Sequence, residues 1–251
     1  MKLIDQFDRV YIVNLPERSD RRGEIEAELG RFGLRVDGEK IRYWKATRPD
    51  AAGLFPSLGA RGCFLSHLSI LEDAIENDLG SMLVMEDDLA LDERFVQAQP
   101  QMCRALRDER WHFAYLGHVE SLPDTGAKPG WHCSQQPLAT THFYALNRPV
   151  MRPLRDHLRA CLGREPGHPL GSPMHVDGAY SLYRMQHPDA TTLIGAPSLG
   201  AQRSSRSDIF PNKWYDRTPG LVQVAGWLRA LKNQGKRVFK VNQVSGGPAN
   251  V

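Results

Sequence analysis

Six residues, Leu83-Val84-Met85-Glu86-Asp87-Asp88, carry the strongest chemical signal in the chain. Three apolar residues run straight into three consecutive carboxylates. Packed acids repel one another and each resists leaving water, so a buried strand rarely ends on three of them. A divalent cation removes that cost, and hard oxygen ligands suit Mg²⁺ or Mn²⁺. The plainer reading is a solvated acidic turn after a strand. Just upstream, Gly62-Cys63-Phe64-Leu65-Ser66-His67 gathers a thiol, a hydroxyl and an imidazole within six residues. Cys63 sits beside Phe64 and Leu65 and reads as a buried structural thiol rather than a nucleophile. By residue type alone, Ser66 reads as a helix cap and His67 as a satisfied, half-buried histidine.

These side chains need a scaffold, and the hydrophobic pattern supplies one. Residues 10–15 are short, β-branched and apolar, which predicts a buried first strand. Pro16 and Ser19 mark a turn and a helix cap; Ile25, Leu29 and Phe32 then recur at helical spacing, and Gly33 suits the stop. Residues 41–45 predict a second strand. A Gly/Pro/Ala-rich loop at 49–62 leads to a helix expected from Ser66, with Leu68, Leu71 and Ile75 on one face and Gly80 at its end. Residues 82–85 form the strand that delivers the acids. This β-α-β alternation predicts a parallel-type sheet in an α/β fold, where ligands sit outside the carboxyl ends of the strands. Asn14-Leu15 and the acid triplet both fall at such ends.

Farther on, residues 111–116 and 140–147 read as strands, and Arg148-Pro149 opens a helix containing Val150, Leu154 and Leu158. Residues 163–173 are rich in Gly and Pro and read as an exposed loop, with a short helix from Val176. Residues 197–212 read as a long loop, a length usually reserved for function or disorder.

The 251 residues suffice for one large domain or two modest ones, in proportions ordinary for a globular protein. Residues 1–8 lack the apolar run of a signal peptide and no stretch is long enough to span a bilayer, so a cytoplasmic chain is expected. Cys63, Cys103, Cys133 and Cys161 form no Cys-x-x-Cys pair, which argues against a structural zinc site and for four reduced thiols. After Asp216 there is no acid, while Arg217, Arg229, Lys232, Lys236, Arg237 and Lys240 follow. The expected organisation is a catalytic domain over 1–216 and a basic helix or tail over 217–251. With Val222, Trp227, Leu228 and Leu231, that tail fits a peripheral helix touching an anionic bilayer, and equally a helix packed on the domain. Trp214, Tyr215 and Trp227 suit either sugar stacking or a core edge. The body has no basic stripe interleaved with aromatics, which excludes nucleic acid as the expected partner.

Taken in order, these blocks resemble glycosyltransferase family 25, which includes bacterial lipopolysaccharide galactosyltransferases and animal collagen galactosyltransferases. The resemblance runs through Val13-Asn14-Leu15 with Arg18-Ser19-Asp20-Arg21-Arg22, then Gly62-Cys63 with Ser66-His67-Leu68, then the acid triplet. Weaker echoes follow at Tyr115-Leu116-Gly117, Thr141-His142-Phe143-Tyr144, Val176-Asp177 and residues 197–209. One departure is Gly59-Ala60, where the family commonly carries Gly-Glu; a donor contact or a loop-ordering hydrogen bond is lost there.

The resemblance implies a GT-A type fold, a Rossmann-like mixed sheet flanked by helices in a single catalytic domain. It implies a UDP-sugar donor, Mn²⁺ or Mg²⁺ as cofactor, and inverting transfer of a hexose such as galactose to a glycan or glycolipid acceptor such as lipopolysaccharide. The alternative is a catalytically silent relative that binds nucleotide or glycan, or serves as a scaffold. A phosphoryl transferase would also cluster acids, but no Gly-x-x-x-x-Gly-Lys loop is present. On this resemblance Asp88, Glu86 and His175 are expected at the metal. Asn14, Leu15, Arg18, Ser66, His67, Glu86 and Asp87 are expected at the nucleotide sugar, with Arg203 and Arg206 clamping the diphosphate from a closing loop. Asp177 is the expected general base. His175 and Asp177 can exchange the base and metal roles, and His142 is a third candidate.

Overall fold

Alternation along the strands decides which side chain faces which layer of this molecule. The computed structural model describes residues 2–108, 110–119 and 130–203. Strand β1 (Arg9–Asn14) leads into helix α1 (Ser19–Arg31) and strand β2 (Ile41–Lys45). Helix α2 (Leu58–Glu76) then crosses to strand β3 (Ser81–Glu86). β1 pairs in parallel with both β2 and β3, so the strand order reverses between β1 and β3. That reversal opens a crevice at the carboxyl ends of the two strands, the usual ligand position in an α/β sheet.

A short strand β4 (Leu89–Leu91) and helix α3 (Phe95–Asp108) follow, then β5 (Phe113–Tyr115), β6 (Gly130–Cys133) and β7 (Phe143–Asn147). Helices α4 (Arg148–Leu162) and α5 (Val176–Gln186) precede β8 (Thr192–Ala196) and β9 (Gly200–Gln202). The main sheet has the order β2-β1-β3-β7-β5-β8-β6, and β4 pairs with β9 in a second, two-stranded sheet. β7 runs antiparallel to β3 and β5, and β6 antiparallel to β8, so the sheet is mixed rather than wholly parallel. The result is an α/β arrangement, a mixed sheet between helical layers.

The core falls on both faces of the sheet. Val10, Ile12, Leu83 and Met85 face Ile25 and Leu29 of α1 and Phe95, Ala98 and Met102 of α3. Tyr11, Met82 and Val84 point the other way, into Phe64, Leu68 and Leu71 of α2 with Val150 and Leu154 of α4 and Tyr180 of α5. Period-two geometry therefore sends Glu86, two residues beyond Val84, toward the α2 face. α2 itself is tied down by Asp73, which accepts from Arg9 (3.1 Å), Tyr11 (2.5 Å) and Arg42 (2.5 Å) on β1 and β2.

Several local expectations need correction. α2 begins at Leu58, capped by Ser57, eight residues before Ser66. Ser66 is mid-helix: its hydroxyl donates to Gly62 O (2.7 Å) and accepts from Thr47 N (2.7 Å). Gly59 and Gly62 disguised that first turn, and Gly62 is required because a Cβ there would lie 2.7 Å from Thr47 O. α2 ends at Glu76 with Asn77 as cap, not at Gly80. α1 is preceded by Arg18 at its cap position, so Ser19 lies inside the helix. The loop expected at 197–212 contains β9. The boundary at 216/217, the basic tail, Trp214, Tyr215, Trp227 and Arg206 lie outside the described residues. Among the described residues no helix is long and apolar enough to cross a membrane.

Candidate active site

Asn14, the last residue of β1, is buried and fully engaged. Its Nδ2 donates to Asp87 Oδ2 (2.8 Å) and to Arg18 O (3.3 Å), and its Oδ1 accepts from Arg22 Nε (2.6 Å). Arg21, from the first turn of α1, donates to Asp87 Oδ1 (2.8 Å) and sits 3.3 Å from Asp88 Oδ2. The end of β1, the start of α1 and the end of β3 are thus locked together by one amide and one guanidinium. Asp87 is the fixed member of the triplet.

Asp88 is the strained one. Burial, with the Glu86 and Asp87 charges beside it, pushes its carboxyl up to about 6 against the opposing pull of Arg21. Among the described residues its buried Oδ1 has no hydrogen-bond partner. Burial works in the same direction on Glu86, but the nearby His67 and His142 imidazoles and the Gln202 amide outweigh it and hold that carboxyl below its usual value. Gln202 Nε2 donates to Glu86 Oε2 at 2.7 Å, and Glu86 N donates to His142 O at 2.9 Å.

His67 lies fully buried behind Glu86, its Nε2 3.8 Å from Glu86 Oε1, too far for a hydrogen bond. Its Nδ1 meets Tyr144 Oη at 2.7 Å, and Tyr144 Oη meets Tyr180 Oη at 3.1 Å. Burial, then the charges of Glu86, Asp177 and Asp88, push the Cys63 thiol well up. Asp177 sits in the first turn of α5, its Oδ1 accepting from Gly178 N (2.8 Å). His175 occupies the cap position of α5, and burial pushes its imidazole toward the neutral form.

Other expected site residues are committed elsewhere. Arg18 forks onto Asp20 (2.8–3.3 Å) at the surface. Arg203 donates to Leu89 O (2.8 Å) and Glu24 O (3.3 Å), which ties α1 to β4 rather than leaving a free clamp. Ser66 supports the site indirectly by holding the 46–48 segment. Leu15 lines an open cleft of about 400 Å³ with Glu17, Lys45, Thr47 and Arg48, beside Asn14 at the ends of β1 and β2. Ala60 is the third residue of α2, where an acid would return a hydrogen bond to the backbone of the cap, so its loss weakens a capping box rather than removing a site charge. Sequence reasoning gave no role to Arg21, Gln202 or Tyr144. Only the position of Arg21 in the Arg-rich start of α1 signalled it.

The close approach of Gly62 to Thr47 yields a test. Gly62→Ala must displace the 47–49 backbone, since Pro49 Cδ also stands 3.3 Å from the new methyl. A loss of about 1–3 kcal/mol is expected by urea denaturation, with weaker nucleotide binding by calorimetry because the cleft wall moves. Unchanged values for both would show that the loop yields freely.

Residues 7–122 match the family model described as Glycosyltransferase family 25 (LPS biosynthesis protein). The chain is 31% identical over 137 residues to human "Inactive glycosyltransferase 25 family member 3", covering 47% of this chain and 23% of that protein. It is 29% identical over 140 residues to the bovine "Probable inactive glycosyltransferase 25 family member 3", covering 48% and 23%. It is 30% identical over 132 residues to zebrafish "Procollagen galactosyltransferase 1", covering 44% and 21%. The match thus spans under a quarter of the length of these relatives.

Proposed function

Through residues 7–122 this chain belongs to glycosyltransferase family 25, and from that premise we propose that it transfers a hexose such as galactose from a UDP-sugar to a glycan or glycolipid hydroxyl, with Mn²⁺ or Mg²⁺ at the acid triplet. The observation that carries the reading is Asp88: a half-buried carboxylate just beyond the end of β3, whose buried Oδ1 has no hydrogen-bond partner among the described residues. Such an atom costs about 1–3 kcal/mol unless something pairs with it. Asp88 Oδ1 and the Glu86 carboxylate fit a hard divalent ion.

In this reading the cleft at Leu15, Lys45 and Arg48 admits the nucleotide, with cationic heads suited to phosphate. Asn14 and Arg21 keep Asp87 fixed, so Glu86 and Asp88 would hold the cation from a rigid strand end. A bound cation would neutralise the charge that grows on the leaving diphosphate. Asp177 takes the proton from the acceptor hydroxyl as it attacks the anomeric carbon from the opposite face.

A second reading is a silent nucleotide- or glycan-binding relative. One feature favours it: Arg21 already pairs with Asp87 at 2.8 Å and stands 3.3 Å from Asp88, so part of the charge of the triplet is offset by the chain itself. The two readings separate in a donor screen, with UDP release measured with Mn²⁺ and with a chelator. Chelator-sensitive hydrolysis of one UDP-sugar is expected. UDP binding with no release from any donor would sink the enzyme reading.

A further inference from the structure

We propose that Cys63, His67 and Glu86 form a binding site for a borderline transition metal such as Zn²⁺. Their donor atoms, one sulfur, one nitrogen and one oxygen, all lie within 4.8 Å of one another. Cys63 and His67 stand four residues apart on α2, so they share one helix face, and Glu86 projects toward that face from the end of β3. A thiolate, an imidazole and a carboxylate are the donor types zinc accepts, and three protein donors leave a fourth position open.

The second observation is His67. The residue is fully buried, and among the described residues its Nε2 has no hydrogen-bond partner, although it stands 3.8 Å from Glu86 Oε1. Its other nitrogen is fixed by Tyr144, which in turn meets Tyr180. In the tautomer with Nδ1–H donating to Tyr144 and the Tyr144 hydroxyl donating to Tyr180, Nε2 presents a lone pair to the cluster. Metal-binding histidines are oriented by such outer partners. On binding, the Cys63 thiol passes its proton to water as the metal–sulfur bond forms. The site uses Glu86, which the reading above also uses, but it does not rest on sugar transfer. Its softer donors also separate it from a magnesium site.

The test is a titration of the full chain with Co²⁺ alone, without nucleotide. A thiolate-to-cobalt charge-transfer band should grow to one equivalent and vanish when Zn²⁺ is added, but not with equal Mg²⁺. Cys63→Ser should abolish the band, and Cys133→Ser, at an exposed cysteine, should keep it. Tyr144→Phe should retain the band with Co²⁺ affinity weakened ~10–100-fold, the usual cost of losing an outer partner. Absence of the band in the wild-type chain, or its survival in Cys63→Ser, overturns the site. Should Cys63→Ser fail to fold by circular dichroism, Glu86→Gln and Tyr144→Phe decide: unchanged Co²⁺ affinity in both overturns it. A chain that shows the band yet releases UDP from no donor refutes the glycosyltransferase reading and leaves this site standing.

Discussion

Asp177→Asn is expected to lower sugar transfer ~10²–10⁴-fold while UDP binding persists, the cost typical of losing a general base. The substitution keeps the side-chain volume and an oxygen to accept from Gly178 N, the bond at 2.8 Å that Asp177 makes in the first turn of α5. The helix should therefore form as before, and an acid at that end is favoured by the helix dipole in any case. What disappears is the basic carboxylate, whose charge helps to raise the Cys63 thiol. Steady-state transfer and calorimetric UDP binding, measured side by side, separate the outcomes. Loss of UDP binding would move Asp177 to the cation. Unchanged turnover would remove it from the chemistry altogether.

How much of this could be read from the chain depends on how local each signal is. β1 and β3 were legible because apolar runs of strand length stand between turn residues, β2 because Ile41, Tyr43 and Trp44 are strand-favouring types, and α1 because Ile25 and Leu29 fall on one stripe. α3 was not legible. Its buried stripe of Phe95, Ala98, Met102 and Leu106 is interrupted by Gln97, Gln99, Gln101 and Pro100, which read as a breaker. β8 is five wholly buried residues with no alternation to show, and its neighbours β5 and β6 are far away in sequence. Sheet order is a long-range property, so nothing local announced that β7 would insert antiparallel between β3 and β5.

The site divides in the same way. Three consecutive carboxylates at a strand end are visible to anyone reading the sequence. Their partners are not. Arg21 reaches Asp87 across 66 positions, and Gln202 reaches Glu86 across 116. The partners of Arg203 are hidden for the same reason: its long side chain turns back onto Leu89 O and Glu24 O, which the β4–β9 pairing brings near.

Those pairings leave Asp88 as the acid with least support, and its replacement should stabilise the chain. Asp88→Asn is expected to be more stable than wild type at neutral pH when metal is removed by a chelator. The Asp88 carboxyl is pushed from its ordinary 3.8 up to about 6, chiefly by burial and then by Glu86. The folded state therefore holds a proton that the unfolded chain releases between those values. Stability from this group is complete below pH ~4 and falls as pH rises to ~6, by an amount of order 3 kcal/mol from the linkage of ~1.4 kcal/mol per pH unit. Acids remote from the triplet also titrate in this range but are common to both proteins, so the difference between wild type and Asp88→Asn reports Asp88 together with the two acids coupled to it, Glu86 and Asp87. Urea denaturation from pH 4 to pH 7 should show that difference shifting steadily in favour of the variant. Adding Mn²⁺ should then reverse the order, because a ligand that binds only the folded state raises its stability, and the variant lacks the charge that binds it. A difference that does not change with pH would mean that Arg21 already satisfies Asp88. A Mn²⁺ response equal in both proteins would place the cation elsewhere.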